Sequence, residues 1–381
     1  MDNNQSPWVA VKRSDPGIRY QHEDPGLRRN YPWQAMFACQ IGILPFEKRE
    51  KLKWGFTPAF LIEEATDRQK LFIESQLPAN PVEGHLDRRT LAFRCISMPN
   101  AGLQLSLVAK VLAASEDEAH ATALTYCREL VSVFPIDYEL RPATTEDEFH
   151  AFSGGELLGK CKNEHTIAQL RRFEKPLETT RGTLRFVGLW QANLRSDEQI
   201  WRALTGSQKE TLLNIAIRPT TLLEGERRAL LEMQQLASQP QEQRPPLEPY
   251  LQNYKEWVDP FINRHLSPWN RYFYLQIHLA APAGIEDYIF RSIGSSLTRE
   301  FSDNSSPGYQ VVYPMDSAAL NHWKNHLDNL EILQADRTMM LPRLSELATL
   351  EETHAVFRLP YPPGDNLPGA RFTTLSPGQD T

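Results

Sequence analysis

The sequence is short of the patterns that announce chemistry. Only four cysteines occur in 381 residues, at Cys39, Cys95, Cys127 and Cys161. None stands in a CxxC pair, and their spacing fits no metal ribbon. A disulfide scaffold is excluded, and reduced thiols in the cytoplasm are expected. No apolar run approaches the ~20 residues that cross a bilayer. The opening MDNNQSPWVAVKRSDPG lacks the apolar core of a signal peptide, so no direct membrane insertion is expected. A basic excess is also missing: net charge is -7 and the isoelectric point about 5.9. Non-specific phosphate binding is therefore not the main task of the isolated chain. GxSxG and HExxH are absent. His322 and His326, four apart, come nearest to a metal pair but have no third ligand beside them. His278 reads as a packed strand histidine. No catalytic residue, metal or cofactor is expected.

What is present is globular: 41% hydrophobic and 23% charged residues, in a chain long enough for two domains. Residues 1–85 read as an N-terminal arm, with turns at Asp15-Pro16-Gly17 and Asp24-Pro25-Gly26, and a small lead-in region. Residues 86–180 form a first α+β unit. Leu91–Ser97 and Leu103–Leu112 are strands around the Pro99–Gly102 turn, with Leu103, Leu105 and Leu107 inward and Gln104 and Ser106 outward. Ser115 caps a helix with Glu118 three residues on. Pro135 ends it, and Ile136–Leu140 is a strand.

A second α+β region spans 181–346. It holds strands at Thr183–Trp190, Leu212–Arg218, Tyr272–Leu279 and Tyr309–Tyr313, and helices from Ser196, from Glu224 to Leu236, from Ile285 to Phe301 and around Trp323. Residues 347–381 read as a Pro/Gly-rich tail. The fold class is α+β: mixed or antiparallel sheets with helices packed on one face, in two related strand–helix–strand halves.

The sharpest motif is Gly154-Gly-Glu-Leu-Leu-Gly159-Lys160-Cys161, which fits GxxxxGK with Cys161 where a magnesium-binding Ser or Thr belongs. A helix over His165–Phe173 would follow it, but the preceding Thr145–Phe152 is too acidic for a buried strand. A glycine-rich surface turn accounts for it better, and nucleotide binding through Gly154, Gly159 and Lys160 is the alternative. Trp269, Arg271, Tyr272 and Tyr274 are candidate partner or nucleic-acid contacts, since aromatics stack on bases. Packing inside a sheet is the plainer account. The acidic runs Glu116–Glu118 and Glu146–Glu148 suit helix N-termini.

Three segments together resemble the non-motor region upstream of the motor in HerA-like and type IV secretion and conjugation ATPases. They are Thr211–Arg227, Tyr272–Ala281 with Gly284 and the following helix, and Glu352–Gly369, which contains Ala355-Val-Phe-Arg-Leu-Pro360. The resemblance implies a non-catalytic scaffold, with a hexameric ATPase motor chain as partner and Phe357 and Arg358 among the contacts. DNA would reach the chain through that complex. After Gly369 the family continues into a motor, whereas this sequence runs only to Thr381, so none of the family's catalytic residues carries over. A DNA-binding accessory module is a further alternative.

Overall fold

The computed structural model describes residues 6–14, 30–45, 57–79, 87–179, 182–191, 196–238, 254–266, 271–298, 307–332, 344–362, 367 and 369–373. The first half runs β2 (Trp33–Ile43), α1 (Pro58–Glu74), β3 (Arg89–Met98), β4 (Gly102–Ala113), α2 (Glu116–Val133) and β5 (Tyr138–Pro142). Local chemistry sets its helix starts. Thr57 accepts the Phe60 N–H ahead of Pro58, and Ser115 accepts the Glu118 N–H at 3.2 Å. Glu118 reaches back to the Ala114 N–H. Asn100 and Gly102, both at positive φ, turn β3 into β4.

The second half repeats this order with β6 (Ile167–Arg172), α5 (Ser196–Gly206), β9 (Thr211–Thr220), β10 (Tyr272–Ala280), α8 (Asp287–Leu297) and β11 (Tyr309–Val312). Within each half the strands lie in the order fourth, first, third, second, all antiparallel. This is the βαββαβ ferredoxin-like arrangement, occurring twice. The halves join through β3 and β9, whose antiparallel register sets Arg94 opposite Asn214. With β1 (Ala10–Arg13) on β2 and β12 (Leu347–Thr349) on β10, these strands make one ten-stranded sheet. The α+β class and the antiparallel sheet are as the sequence implies.

On the first face, Phe37, Phe93, Leu107, Ile215, Phe273 and Ile277 meet α1, α2, α5 and α8 in one apolar core. The second face is covered too, which corrects the expectation of helices on one face only. There α3 (Glu146–Ser153), α4 (Gly155–Lys160) and α9 (Ser317–Asp328) extend the halves. The insertion α6 (Glu224–Ser238) and α7 (Tyr254–His265) packs there as well. A hairpin of β7 (Glu174–Thr179) and β8 (Gly182–Val187) stands apart from the sheet.

Other expectations need correcting. The helix placed over His165–Phe173 is a 3₁₀ turn (Glu164–Thr166) followed by β6. β9 runs through Pro219 to Thr220, and the Pro219 carbonyl accepts the Asp87 N–H. The boundaries near 86, 181 and 347 do not divide the sheet: β6 lies between β10 and β11.

The C-terminal segment is no loose tail either. After α10 (Leu350–Val356), Phe357 packs on Phe93, and the Gln69 side chain both donates to the Leu359 carbonyl and accepts its N–H. The Tyr138 hydroxyl donates to Pro360. Leu103 exchanges backbone hydrogen bonds with Arg371 and Thr373. A Cβ at Gly102 would meet the Arg371 carbonyl oxygen at 2.9 Å, so only glycine lets the segment come this close.

Candidate functional site

The second face carries the polar chemistry. A single row crosses it: Arg141 (β5), Gln40 (β2), Ser106 (β4), Arg94 (β3), Asn214 (β9), His278 (β10) and Gln169 (β6), each opposite the next. Ser106 and Arg94 are fully buried, although Ser106 reads as outward-facing in the sequence. Buried polar groups need partners, and the C-termini of the covering helices supply them, because the last carbonyls of a helix have no partner inside it. Gln104, Ser106 and Arg94 donate in turn to the carbonyls of Ala151, Phe152 and Ser153 at the end of α3.

Arg94 also donates to Leu327 at the end of α9 and, at 2.8 Å, to Asn214 Oδ1. Its positive charge suits two helix C-termini. Burial nevertheless lowers its pKa to about 10. Lys110, on β4, adds an ion pair at 3.0 Å to Glu331 just beyond α9, both side chains buried.

Around His278 the row is less complete. Among the described residues neither ring nitrogen has a hydrogen-bond partner, and the ring stands edge-on to Trp323 at 5.9 Å. Burial, with Arg171 and Arg94 nearby, lowers its pKa to about 3, so the ring is neutral. Gln169 accepts from Arg171 Nε at 2.6 Å. Gln169 and Gln276 lie beside the carboxyl of Glu346, whose pKa burial raises to about 7.

A second centre is charged and closed. Arg172 donates to Glu352 Oε1 at 2.8 Å, and to the carbonyls of Ser345, Gly188 and Leu347. Glu352 also accepts the N–H groups of Trp190 and Thr349, completing the capping box of α10. His265 lies 3.4 Å from Glu352, and its ring nitrogens face the carbonyls of Phe261 and Leu347. Burial opposes ionisation of Glu352, but Arg172, His265 and the Thr349 N–H outweigh it and hold the carboxyl below its usual range. His265 is pulled down by burial despite Glu352.

The motif residues fall elsewhere. Gly154 is the left-handed C-cap of α3 (φ 71°), and Gly155 to Lys160 are α4. A helix rather than a strand precedes the motif. Neither a phosphate loop nor the expected surface turn is formed. Gly159 has open space around its Cα, and Lys160 pairs with Glu156 at 2.9 Å and Glu210 at 3.6 Å.

Trp269 lies outside the described residues. Arg271 pairs with Glu74 at 3.3 Å. Tyr272 and Tyr274 are buried on the second face, and the Tyr272 hydroxyl donates to His265 O at 2.6 Å. Phe357 is buried on the first face, and Arg358 lines a small apolar cavity with Trp201 and Val356. As partner contacts, Tyr272, Tyr274 and Phe357 are corrected to core residues, and the set shares no common surface. Sequence reasoning missed Arg94, Lys110, Arg172 and Glu346. Their one signal was a charged residue at a regular position within or beside a strand.

Among the described residues no group of three or more His, Cys, Asp or Glu side chains is placed to hold a metal ion, and no helix is long and apolar enough to cross a membrane. No protein-family model matches the chain, and no curated protein matches it. Its two halves and its polar layer are thus read from their own geometry.

Proposed function

We propose that this chain is a non-catalytic interaction subunit: a rigid tandem ferredoxin-like scaffold that docks a partner on the outer side of its first half. The observation that carries this reading is a set of exposed apolar side chains. Leu71 on α1, Val131 and Val133 on α2, and Ile136 just beyond it lie open to solvent, Leu71 at 64% and Ile136 at 70%. The Arg68–Asp137 ion pair, at 2.7 Å, ties α1 to the turn that bears Ile136. Exposed apolar surface of this kind marks interaction sites.

The partner class comes from the sequence resemblance: a hexameric HerA-like or conjugation-type ATPase motor on a separate chain, which would bring DNA to the complex. Arg94 and Arg172 are engaged with carbonyls and Glu352, which suits a scaffold. The test is co-expression and co-purification with a HerA-like or conjugation-type ATPase from the same source. The wild type should form a stable complex, and Ile136→Glu with Leu71→Glu should abolish it without changing the circular dichroism spectrum. Failure of the wild type to form a complex would remove the ATPase reading. A complex indifferent to both substitutions would remove the surface.

A further inference from the structure

β12 is a three-residue strand that holds its segment against the start of β10. Glu346 immediately precedes it. Its backbone carbonyl accepts the Leu275 N–H at 3.0 Å, and its carboxyl enters the second face, where Gln276 and Gln169 lie beside it. Glu346 is only 6% exposed, and its Oε1 has no hydrogen-bond partner. Among the described residues no ion pair forms at this carboxyl. Glu352, six residues on and fully buried, is the contrast: it holds Arg172 at 2.8 Å and two backbone N–H groups. A desolvated carboxylate without a counter-ion is costly and takes a proton instead.

The cations around this face bond other groups, and Arg171 and Arg172 act on Glu346 only through space. On β6, Arg171 is tied to Gln169 and Arg172 to Glu352. On β3, Arg94 is tied to Asn214 and two helix ends. On β10, His278 is neutral, and His322 and His326 of α9 lie against each other with ring centres 4.0 Å apart.

We propose that Glu346 is a proton-operated latch for residues 344–349. Neutral, it lies between two amides and lets β12 pair with β10. Ionised, it has no ion pair among the described residues to offset its desolvation, and the segment leaves β10. The inference is independent of the scaffold reading.

The direction of the shift agrees. Burial raises the carboxyl to about 7 against the opposing pull of Arg171, Gln276, Gln169 and Arg172. The docked state therefore binds the proton more tightly than the released state. Docking is strongest below the ordinary carboxyl range and weakens as pH rises through about 7.

Hydrogen exchange on the full chain tests this, comparing protection of 344–349 at pH 6 and pH 8 after correction for intrinsic exchange. The wild type should lose protection by about tenfold, and Glu346→Gln, neutral at both pH values, should lose none. Carboxyl-carbon NMR should show a titration near neutrality that Glu346→Gln lacks. Equal wild-type protection at both pH values would overturn the latch, whatever the carboxyl midpoint. So would the same loss of protection in Glu346→Gln, which would place the switch on another group.

Discussion

The two faces of the sheet seal their helices by different means. On the first face, shape does the work: Phe93, Trp201 and Phe357 interlock as rings 5.9 Å apart, and α1, α2, α5 and α8 lie on apolar side chains. On the second face, hydrogen bonds do much of it: Gln104, Ser106 and Arg94 grip the end of α3, while Arg94 and Lys110 grip α9 and the chain beyond it. An apolar face tolerates small shifts in helix position, because dispersion has no direction. A face of donors and acceptors specifies where a helix must end, because a stranded carbonyl costs about 1–3 kcal/mol.

Substitutions can break that contrast, and the largest effect is expected at the closed ion centre. Arg172→Leu leaves Glu352 buried without its partner and should cost about 3–5 kcal/mol in denaturant unfolding. Arg94→Leu keeps bulk but strands the Ser153 and Leu327 carbonyls. It should cost about 3 kcal/mol and loosen α3 and α9 together in hydrogen exchange.

The next effect is pH-dependent. His278 is neutral in the folded chain, with its pKa lowered to about 3. Its contribution is whole above the unfolded value near 6.5 and is lost as pH falls toward 3. Glu346 works the other way between about 7 and the ordinary carboxyl value of 4.5, so the informative quantity is the gap between wild type and His278→Phe. That gap should shift by about 2 kcal/mol from pH 6.5 to pH 5. The smallest effect is Ser115→Ala, which removes the cap of α2 and should cost about 1 kcal/mol.

The first half was largely legible because its local signals agree with one another. Leu103, Leu105 and Leu107 alternate, Ser115 caps, and Pro135 stops the helix. The second face was not legible, for a physical reason. Alternation in β4 marks Gln104 and Ser106 as polar, and polarity in a strand ordinarily means water. Here the polar atoms meet helix carbonyls supplied from residues 151–153, a contact no local pattern encodes. The same cause hid β6, whose Gln169, Arg171 and Arg172 look like a solvated helix. The GxxxxGK spacing misled in its own way: a C-cap glycine and a short helix satisfy it without a preceding strand.

Arg94 has one more consequence. Apart from Arg141, whose counterpart is Val312, the row it belongs to maps onto itself about a two-fold axis through the Arg94–Asn214 pair, exchanging Ser106 with His278 and Gln40 with Gln169. The helix ends that Arg94 holds, Ser153 and Leu327, follow the fourth strand of each half and are exchanged as well. One guanidinium already holds both helix ends and the facing Asn214. A chain assembled from two like units cannot keep both copies identical at that point. One copy must supply the cation and the other a small acceptor, so the seam is where two repeats become a single, non-interchangeable protein.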